Sequence, residues 1–359
     1  MKIALDGTPF TKNPVGIAKV IIPLVKEIIL KNPTAEYVIY SNKPVVVPSE
    51  LAKFIVIKKS GFLFKYLPHI VWLKLIAGFL INRDGVDVYI SGKGFYPKLS
   101  KKIKKIAMIH DLNYLIVPKT MENFHFLSTI FFLKKDALTS DFLLSNSVGT
   151  ANKIERYWKG KVDLVITPPI DASLFRQLPE ETVFKTLNKY GINYKYLFAL
   201  GTMEPRKNLE LTINVFIDLV KNNQNNGHKL IIAGLKGWKN KENLDLLDKY
   251  SDYVVHLGYV SDEDLPALYN GATAFLFPSI YEGFGIPVRE ALLCGTQIIT
   301  SDIEELREAA YNNAHFINPL SFSEYKQSML DVLNGKLINK EFKHSNSNTD
   351  KLIQFINIP

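Results

Sequence analysis

Phe277-Pro278-Ser279-Ile280-Tyr281-Glu282-Gly283-Phe284-Gly285-Ile286-Pro287-Val288-Arg289-Glu290-Ala291-Leu292-Leu293-Cys294-Gly295-Thr296-Gln297-Ile298-Ile299-Thr300 joins two short apolar runs of strand length, Ala272 to Phe277 and Gln297 to Thr300. The segment therefore reads strand, loop, helix, strand. Pro287 suits the first turn of that helix, where its missing N–H would be unpaired anyway. Gly283-Phe284-Gly285 lets backbone amides come close to a ligand. A helix start carries unpaired N–H groups and the positive end of a macrodipole, so it favours an anion, and Glu282 and Glu290 bracket the same mouth. Strand and helix in alternation are the mark of a parallel sheet covered by helices.

The flanks repeat the plan. Tyr196 to Leu200, Leu230 to Ala233, Val254 to Leu257 and Ala314 to Ile317 are strand-like, with helices expected over Lys207 to Leu219, Asn243 to Tyr250 and Asp262 to Tyr269. In the first half the strand-like runs are Ile3 to Asp6, Tyr37 to Tyr40, Phe54 to Ile57, Val86 to Ile90, Ile106 to Ile109, Phe142 to Leu144 and Leu164 to Ile166. Helical spacing runs from Ile17 to Ile29, over residues 122–139, and from Val148 to Tyr157 behind the capping Ser147. Pro68 bars one continuous helix from Phe62 but suits the start of a new one reaching about Ile81, apolar on a very wide face. Such a helix is either well buried or an interfacial membrane contact. The fold expectation is α/β, two doubly wound Rossmann-like domains facing across a cleft, the first ending near Pro168-Pro169.

The chain has 359 residues, more than one comfortable hydrophobic core holds, which agrees with two domains. Hydrophobic residues at 47% and charged residues at 22% argue against a disordered chain and against a membrane-embedded body. The N-terminus enters a strand pattern directly, without the apolar region of a signal peptide, so a cytoplasmic location is expected. Cys294 stands alone among apolar helix residues, a packing position. Charge is uneven: residues 1–176 hold 26 Lys and Arg against 13 Asp and Glu, the remainder 18 against 22. A basic first half suits an anionic membrane surface, a pyrophosphate-bearing lipid or nucleic acid, or is simply a solvated basic surface. No nucleic-acid-binding module is present, which disfavours that partner.

Gly201-Thr202-Met203-Glu204-Pro205-Arg206-Lys207-Asn208 follows a strand and precedes a helix. Two cations at the positive end of a helix are unfavourable for it, so Arg206 and Lys207 point to an anionic ligand such as a diphosphate. Gly234 belongs to another strand-end turn, where sterics alone would require glycine. The Gly283, Gly285 pair lacks the third glycine of a dinucleotide fingerprint, Val288 standing there, which excludes NAD. Asp262-Glu263-Asp264 reads as a helix cap behind Ser261 rather than a metal triplet. His110, at a strand end beside Asp111, fits polar substrate contact, proton handling or a core-edge position. No Walker loop, His-Glu-x-x-His, paired Cys-x-x-Cys or Gly-x-Ser-x-Gly occurs, so ATP hydrolysis, zinc proteolysis and serine hydrolysis are disfavoured.

The combination resembles glycosyltransferase family 4, whose members have the GT-B fold and retain anomeric configuration. Gly201 to Asn208 is similar to the family's G-T-x-E-P-R-K-N segment, and Glu282 with Glu290 to its E-x7-E motif, followed by Ala291 to Thr296. Asp6-Gly7-Thr8-Pro9 with Gly16, His110-Asp111-Leu112, Gly234 with Gly237-Trp238, and Leu257 to Ser261 add to the likeness. The resemblance implies an acceptor-binding domain over 1–170, a donor-binding domain over 171–335, and a tail, 336–359, whose last helix crosses back to the first domain. It implies that Arg206 and Lys207 hold the donor diphosphate, Glu290 the ribose, and Glu282 with the amides of Phe284, Gly285 and Ile286 the transferred sugar. Tyr259, Val260 and Leu265 would line the base pocket, His110 would face the donor sugar, and Gly16 would let the first loop approach the phosphates. Ala18 stands where the family often has a second glycine. No metal and no cofactor beyond the nucleotide-sugar donor is implied. The E-P-R-K-N run resembles bacterial surface-polysaccharide mannosyltransferases, which favours GDP-mannose over UDP-sugars and dTDP-rhamnose, with a lipid-diphosphate-linked or oligosaccharide acceptor. The reading from another class is a non-catalytic nucleotide-sugar binding protein.

Overall fold

The computed structural model describes residues 1–11, 16–59, 61–121, 123–235, 241–336 and 349–357. Two compact units divide the chain: Met1–Pro169 with the C-terminal helix, and a second that begins at Ile170.

Among the described residues the first unit holds seven strands: β1 Lys2–Asp6, β2 Glu36–Ser41, β3 Ile55–Lys59, β4 Val88–Ser91, β5 Lys104–Ile109, β6 Phe142–Ser145 and β7 Leu164–Val165. They pair in parallel in the order β3-β2-β1-β4-β5-β6-β7. A sheet covered on both faces buries every residue of its central strands, which is why Ile3 to Leu5, Tyr37 to Tyr40 and Ile106 to Ile109 are continuous apolar runs. The order reverses beside β1. The chain steps from β1 outward to β2 and β3, then returns to lay β4 on the other side of β1, so the connections diverge at the carboxyl ends of β1 and β4 and leave a crevice there.

Pro68 occupies the N-cap of a helical run, His69–Trp72, Leu73–Ala77 as a π turn, and Gly78–Arg83. Trp72, Leu73, Ala77 and Ile81 are buried, whereas Leu75 and Phe79 are 74% and 70% exposed. The wide apolar face is thus split, one side in the core and one in solvent. Ser147 caps its helix as expected, its Oγ accepting from Thr150 N at 2.9 Å. The last helix, Asp350–Asn357, packs in the first unit: Leu352 and Ile356 are buried, the Phe355 ring lies 4.6 Å from that of Phe142, and Lys31 Nζ reaches Asp350 Oδ1 at 2.8 Å.

The second unit holds six strands among the described residues: β8 Tyr196–Leu200, β9 Lys229–Ala233, β10 Val254–Gly258, β11 Ala274–Phe277, β12 Ile298–Ser301 and β13 His315–Ile317. Their order is β10-β9-β8-β11-β12-β13, again parallel, with the reversal between β8 and β11. Alternate residues feed opposite faces, Phe198, Ile231 and Phe275 joining one core and Ala199, Leu230 and Leu276 the other. Three helix starts differ from the sequence expectation, the one expected from Asn243 lying two residues earlier, at Lys241. The helix expected from Lys207 begins at Leu209, because Pro205–Lys207 is a separate 3-10 turn and Asn208 is left-handed at φ 57°. The helix expected from Asp262 begins at Leu265, and Asp264 makes no side-chain cap; its carboxylate instead takes Lys189 Nζ at 2.5 Å and Tyr190 Oη at 2.7 Å. Helices Glu180–Lys189, Ile286–Leu293, Glu304–Ala309 and Phe322–Leu333 also belong to the unit. Among the described residues no helix is long and apolar enough to cross a membrane.

Candidate active site

The reversal between β8 and β11 sets the loops that leave these two strands side by side, and those loops carry Gly201 to Asn208 and Pro278 to Gly285. Asn208 knits them together, its Nδ2 donating to Pro278 O at 3.2 Å and to Pro319 O at 2.7 Å. Arg206 donates through Nη1 to Glu282 Oε2 at 2.7 Å and to Tyr281 O at 3.0 Å, and through Nη2 to Glu204 Oε1 at 2.5 Å. Lys207 Nζ reaches Glu282 Oε1 at 2.7 Å and lies 4.7 Å above the Phe277 ring. Glu282 therefore gives one oxygen to each cation.

The electrostatics follow from burial. Glu204 and Glu282 are buried. Burial would raise the Glu282 carboxyl, but Arg206 and Lys207 outweigh it and hold it at about 2. The Lys207 ammonium is pushed down by burial, with Glu282 opposing. The dipole argument from sequence needed an anion beside Arg206 and Lys207. The chain supplies two of its own, so these cations are not by themselves proof of a ligand. A diphosphate arriving here would share them with Glu282, which suits a site that must hold charge and then release it.

Helix Ile286–Leu293 starts at Gly285, whose φ of 104° a side chain would strain, with Pro287 in its first turn. Its amide end lies in the same loop as Glu282. Glu290 is buried, and Tyr269 Oη donates to its Oε2 at 3.1 Å. The Phe284 side chain, Val260 and Leu265 belong to one core cluster, while Tyr259 stands 70% exposed. Of the expected base-pocket side chains, two are therefore core and one faces solvent. Gly234 approaches the β8 end so closely that a Cβ would lie 2.1 Å from Gly201 O, which is the steric reason for glycine there. Gly237 and Trp238 lie outside the described residues.

His110 and Gly16 belong to the first unit. His110 Nε2 donates to Gly92 O at 2.7 Å, fixing the tautomer and leaving Nδ1 as an acceptor. Burial lowers its pKa to about 4, so the ring is neutral near pH 7. Gly16 is exposed, in the turn before helix Ala18–Lys31. Cys294 is buried and its thiol is pushed up to about 12, consistent with packing alone.

Residues 183–349 match the family model described as glycosyl transferases group 1. Over that stretch the chain is similar to group 1 glycosyl transferases. The chain is 30% identical to O-antigen chain mannosyltransferase B of Escherichia coli over 63% of its own length and 60% of that protein. It is 28% identical to serotype-specific mannosyltransferase WbdA of Escherichia coli, over 45% of this chain and 20% of that one. The matched regions thus span about three fifths and one fifth of these relatives. Sucrose-phosphate synthase from Thermosynechococcus elongatus superposes with a TM-score of 0.70 at 16% identity, over 94% of this chain and 90% of that one, which shows the shared GT-B fold of two Rossmann-like domains.

In this region two contributors escape sequence reasoning. Glu204 lies inside the motif yet has no role until its carboxylate is seen on Arg206; its spacing two residues before the arginine is the available signal. Tyr269, the partner of Glu290, sits in an apolar run whose pattern marks it only as core.

Proposed function

We propose that the chain is a retaining hexosyltransferase that moves mannose from GDP-mannose to a lipid-diphosphate-linked or oligosaccharide acceptor in surface-polysaccharide synthesis. The observation that carries this is the Arg206, Lys207 and Glu282 cluster at the carboxyl ends of β8 and β11. Charge that develops on a departing diphosphate is stabilised by fixed cations and helix amides, an electrostatic contribution of about 3–4 kcal/mol per donor group in comparable sites. Glu282 and the amides of Phe284 to Ile286 would hold the sugar, Glu290 the ribose, and neutral His110 a sugar hydroxyl. The acceptor hydroxyl attacks the anomeric carbon on the leaving-group face, the C–O bond to the diphosphate breaks, and a diphosphate oxygen takes the proton. The mannosyltransferase names of the relatives and the Glu204 to Asn208 run support mannose. A donor that binds the folded chain raises its apparent stability by about 2.7 kcal/mol at a hundred times Kd. In a thermal-shift panel GDP-mannose is expected to give the largest shift, ahead of UDP- and dTDP-sugars; a UDP-sugar ranking first overturns the donor assignment, and binding without transfer overturns the enzyme reading.

The acceptor reading places the first unit at an anionic membrane surface. Leu75 and Phe79, one helical turn apart and exposed, line a groove with Lys98, and Phe131 is 68% exposed on the neighbouring helix Asn123–Leu138, which Lys74 ties in by lying 4.8 Å above the Phe132 ring. Apolar side chains among lysines suit anionic lipid, each lysine near the surface contributing about 1 kcal/mol. The chain is expected to sediment with phosphatidylglycerol vesicles and not with phosphatidylcholine vesicles, and Leu75→Glu with Phe79→Glu to abolish this. Equal sedimentation of that variant sinks the assignment of this face.

A further inference from the structure

Arg289 lies one turn inside helix Ile286–Leu293, and the transfer chemistry leaves it unused. Only 4% of it is exposed, yet among the described residues no carboxylate forms an ion pair with it. Its guanidinium is instead taken up by the chain at the end of helix Glu304–Ala309. Nε donates to Ala309 O at 2.5 Å, Nη2 to Glu308 O at 2.7 Å and Nη1 to Tyr311 Oη at 2.6 Å. The two carbonyls belong to the last turn of that helix, where intrahelical donors run out, so Arg289 caps it from a different helix. The turn that follows is unusual, with Tyr311 and Asn312 both left-handed at φ 48° and 56°. Such a backbone persists where its surroundings hold it.

The same guanidinium reaches back to the glycine loop. Its central carbon lies 3.7 Å from the centre of the Tyr311 ring and 5.2 Å from that of Phe284, so the charge sits against two aromatic rings. Phe284 is buried, and Gly285 beside it is pressed on helix Glu304–Ala309: a Cβ there would lie 2.4 Å from Leu306 Cδ2 and 3.4 Å from Ala309 Cβ. Gly285 O accepts from Val288 N at 3.0 Å and Arg289 N at 3.3 Å, which ties the loop to the helix that carries Arg289. A buried cation bonded to carbonyls and a phenol is a poor source of stability, since an apolar side chain of the same length fills the space without desolvating a charge. What arginine alone supplies is a planar fork that fixes three acceptors and stacks on rings at once, which lysine does not reproduce.

We infer that Arg289 is a positioning residue for the loop Gly283 to Gly285, its fork and its stacking on Phe284 and Tyr311 fixing that loop against the end of helix Glu304–Ala309. The amides of Phe284 to Ile286 are thereby held where the donor sugar is proposed to bind, and Arg289 itself touches no substrate. The inference rests on the transfer reading for what the loop binds, and not for how the loop is held.

The test compares the full-length wild type with Arg289→Met, which removes the fork with little change of bulk, and Arg289→Lys, which keeps the charge without the fork. Amide hydrogen exchange reports on the loop whatever the substrate. Loss of hydrogen bonds from a charged group should speed exchange of the Val288 amide by about 10- to 100-fold in both variants. Amides of helix Leu209–Lys221, which packs in the unit's other core, should keep their wild-type rates. Unchanged Val288 exchange in Arg289→Met, equal acceleration of both helices, or wild-type exchange in Arg289→Lys overturns the inference, the second by making Arg289 merely structural and the third by reducing it to a charge. Kinetics then separate sugar from nucleotide. In Arg289→Met, kcat with GDP-mannose should fall by about 100-fold, as for a misplaced reacting group, while the GDP inhibition constant stays at its wild-type value. Wild-type kcat in a variant whose loop exchanges faster, or equal losses of kcat and GDP affinity, also overturns it. If Arg289→Met does not fold, Tyr311→Leu, which removes one ring and the phenol but leaves both carbonyls bonded to Arg289, should show the same pattern at smaller size, and a wild-type loop there is the overturning result. The expected exchange pattern beside a wild type that transfers sugar from no nucleotide indicts the transfer reading instead.

Discussion

Lys207→Met is expected to lower kcat for sugar transfer by about 10²–10³-fold while the chain still folds. The size follows from removing one fixed donor aimed at a leaving group whose charge grows in the transition state. The folding claim follows from the geometry. Glu282 loses the lysine at Oε1 but keeps Arg206 at 2.7 Å on Oε2, and Glu204 keeps its own bond to Arg206, so no buried carboxylate is stranded. The obvious alternative, Arg206→Ala with Lys207→Ala, strands both Glu204 and Glu282. Leaving a buried charge unpartnered costs about 3–5 kcal/mol, so loss of activity in the double variant would confound chemistry with unfolding. Sequence alone offers no warning of this. An interaction made only in the transition state lowers kcat and kcat/KM together. Near-normal kcat with only a raised KM would mean that Lys207 binds donor without stabilising the leaving group.

What could be read without coordinates divides along a physical line. The strands of both sheets were legible because central parallel strands are buried on both faces and so appear as unbroken apolar runs, from Ile3 to Leu5 through Ile298 and Ile299. The glycine-proline helix start at Gly285 to Pro287 was legible because backbone conformation constrains it locally. Contacts between distant segments were not. Arg206 and Lys207 announce a need for negative charge, but that Glu282, some seventy-five residues on, meets it depends on which strands are neighbours. The same holds for Tyr269 on Glu290, and for His69 on Asp6, where a helix and a strand end must first be brought together. The helix from His69 shows a third limit. An apolar residue at nearly every position hides which side faces the core, and the π turn at Leu73–Ala77 shifts the phase that a regular period would have suggested. Near Lys207 the irregularity is again one residue, Asn208, whose left-handed backbone separates the basic turn from the helix and moves its start to Leu209.

Glu282→Gln should destabilise the chain by about 3–5 kcal/mol, because it takes the shared anion from two half-buried cations. Arg206 retains Glu204; Lys207 retains nothing it is bonded to, and burial then acts on its ammonium without the carboxylate that opposed it. Two readouts separate this from an ordinary packing defect. The first is pH. The Glu282 carboxyl is held at about 2 in the folded chain against an ordinary 4.5, so its stabilisation is complete above pH 4.5 and is lost as the pH falls toward 2. Wild-type stability should carry that acid limb and Glu282→Gln should lack its share of it. The second is ligand. If a diphosphate shares Arg206 and Lys207 with Glu282, then in the variant it no longer competes with a carboxylate, and GDP should raise the melting temperature of Glu282→Gln by more than it raises that of the wild type. Transfer should nevertheless fall, since the same carboxylate is proposed to orient the sugar. A variant as stable as wild type at pH 7 would show that Glu282 is not what holds the two cations, and one that GDP stabilises less would show that the phosphates do not enter between these charges.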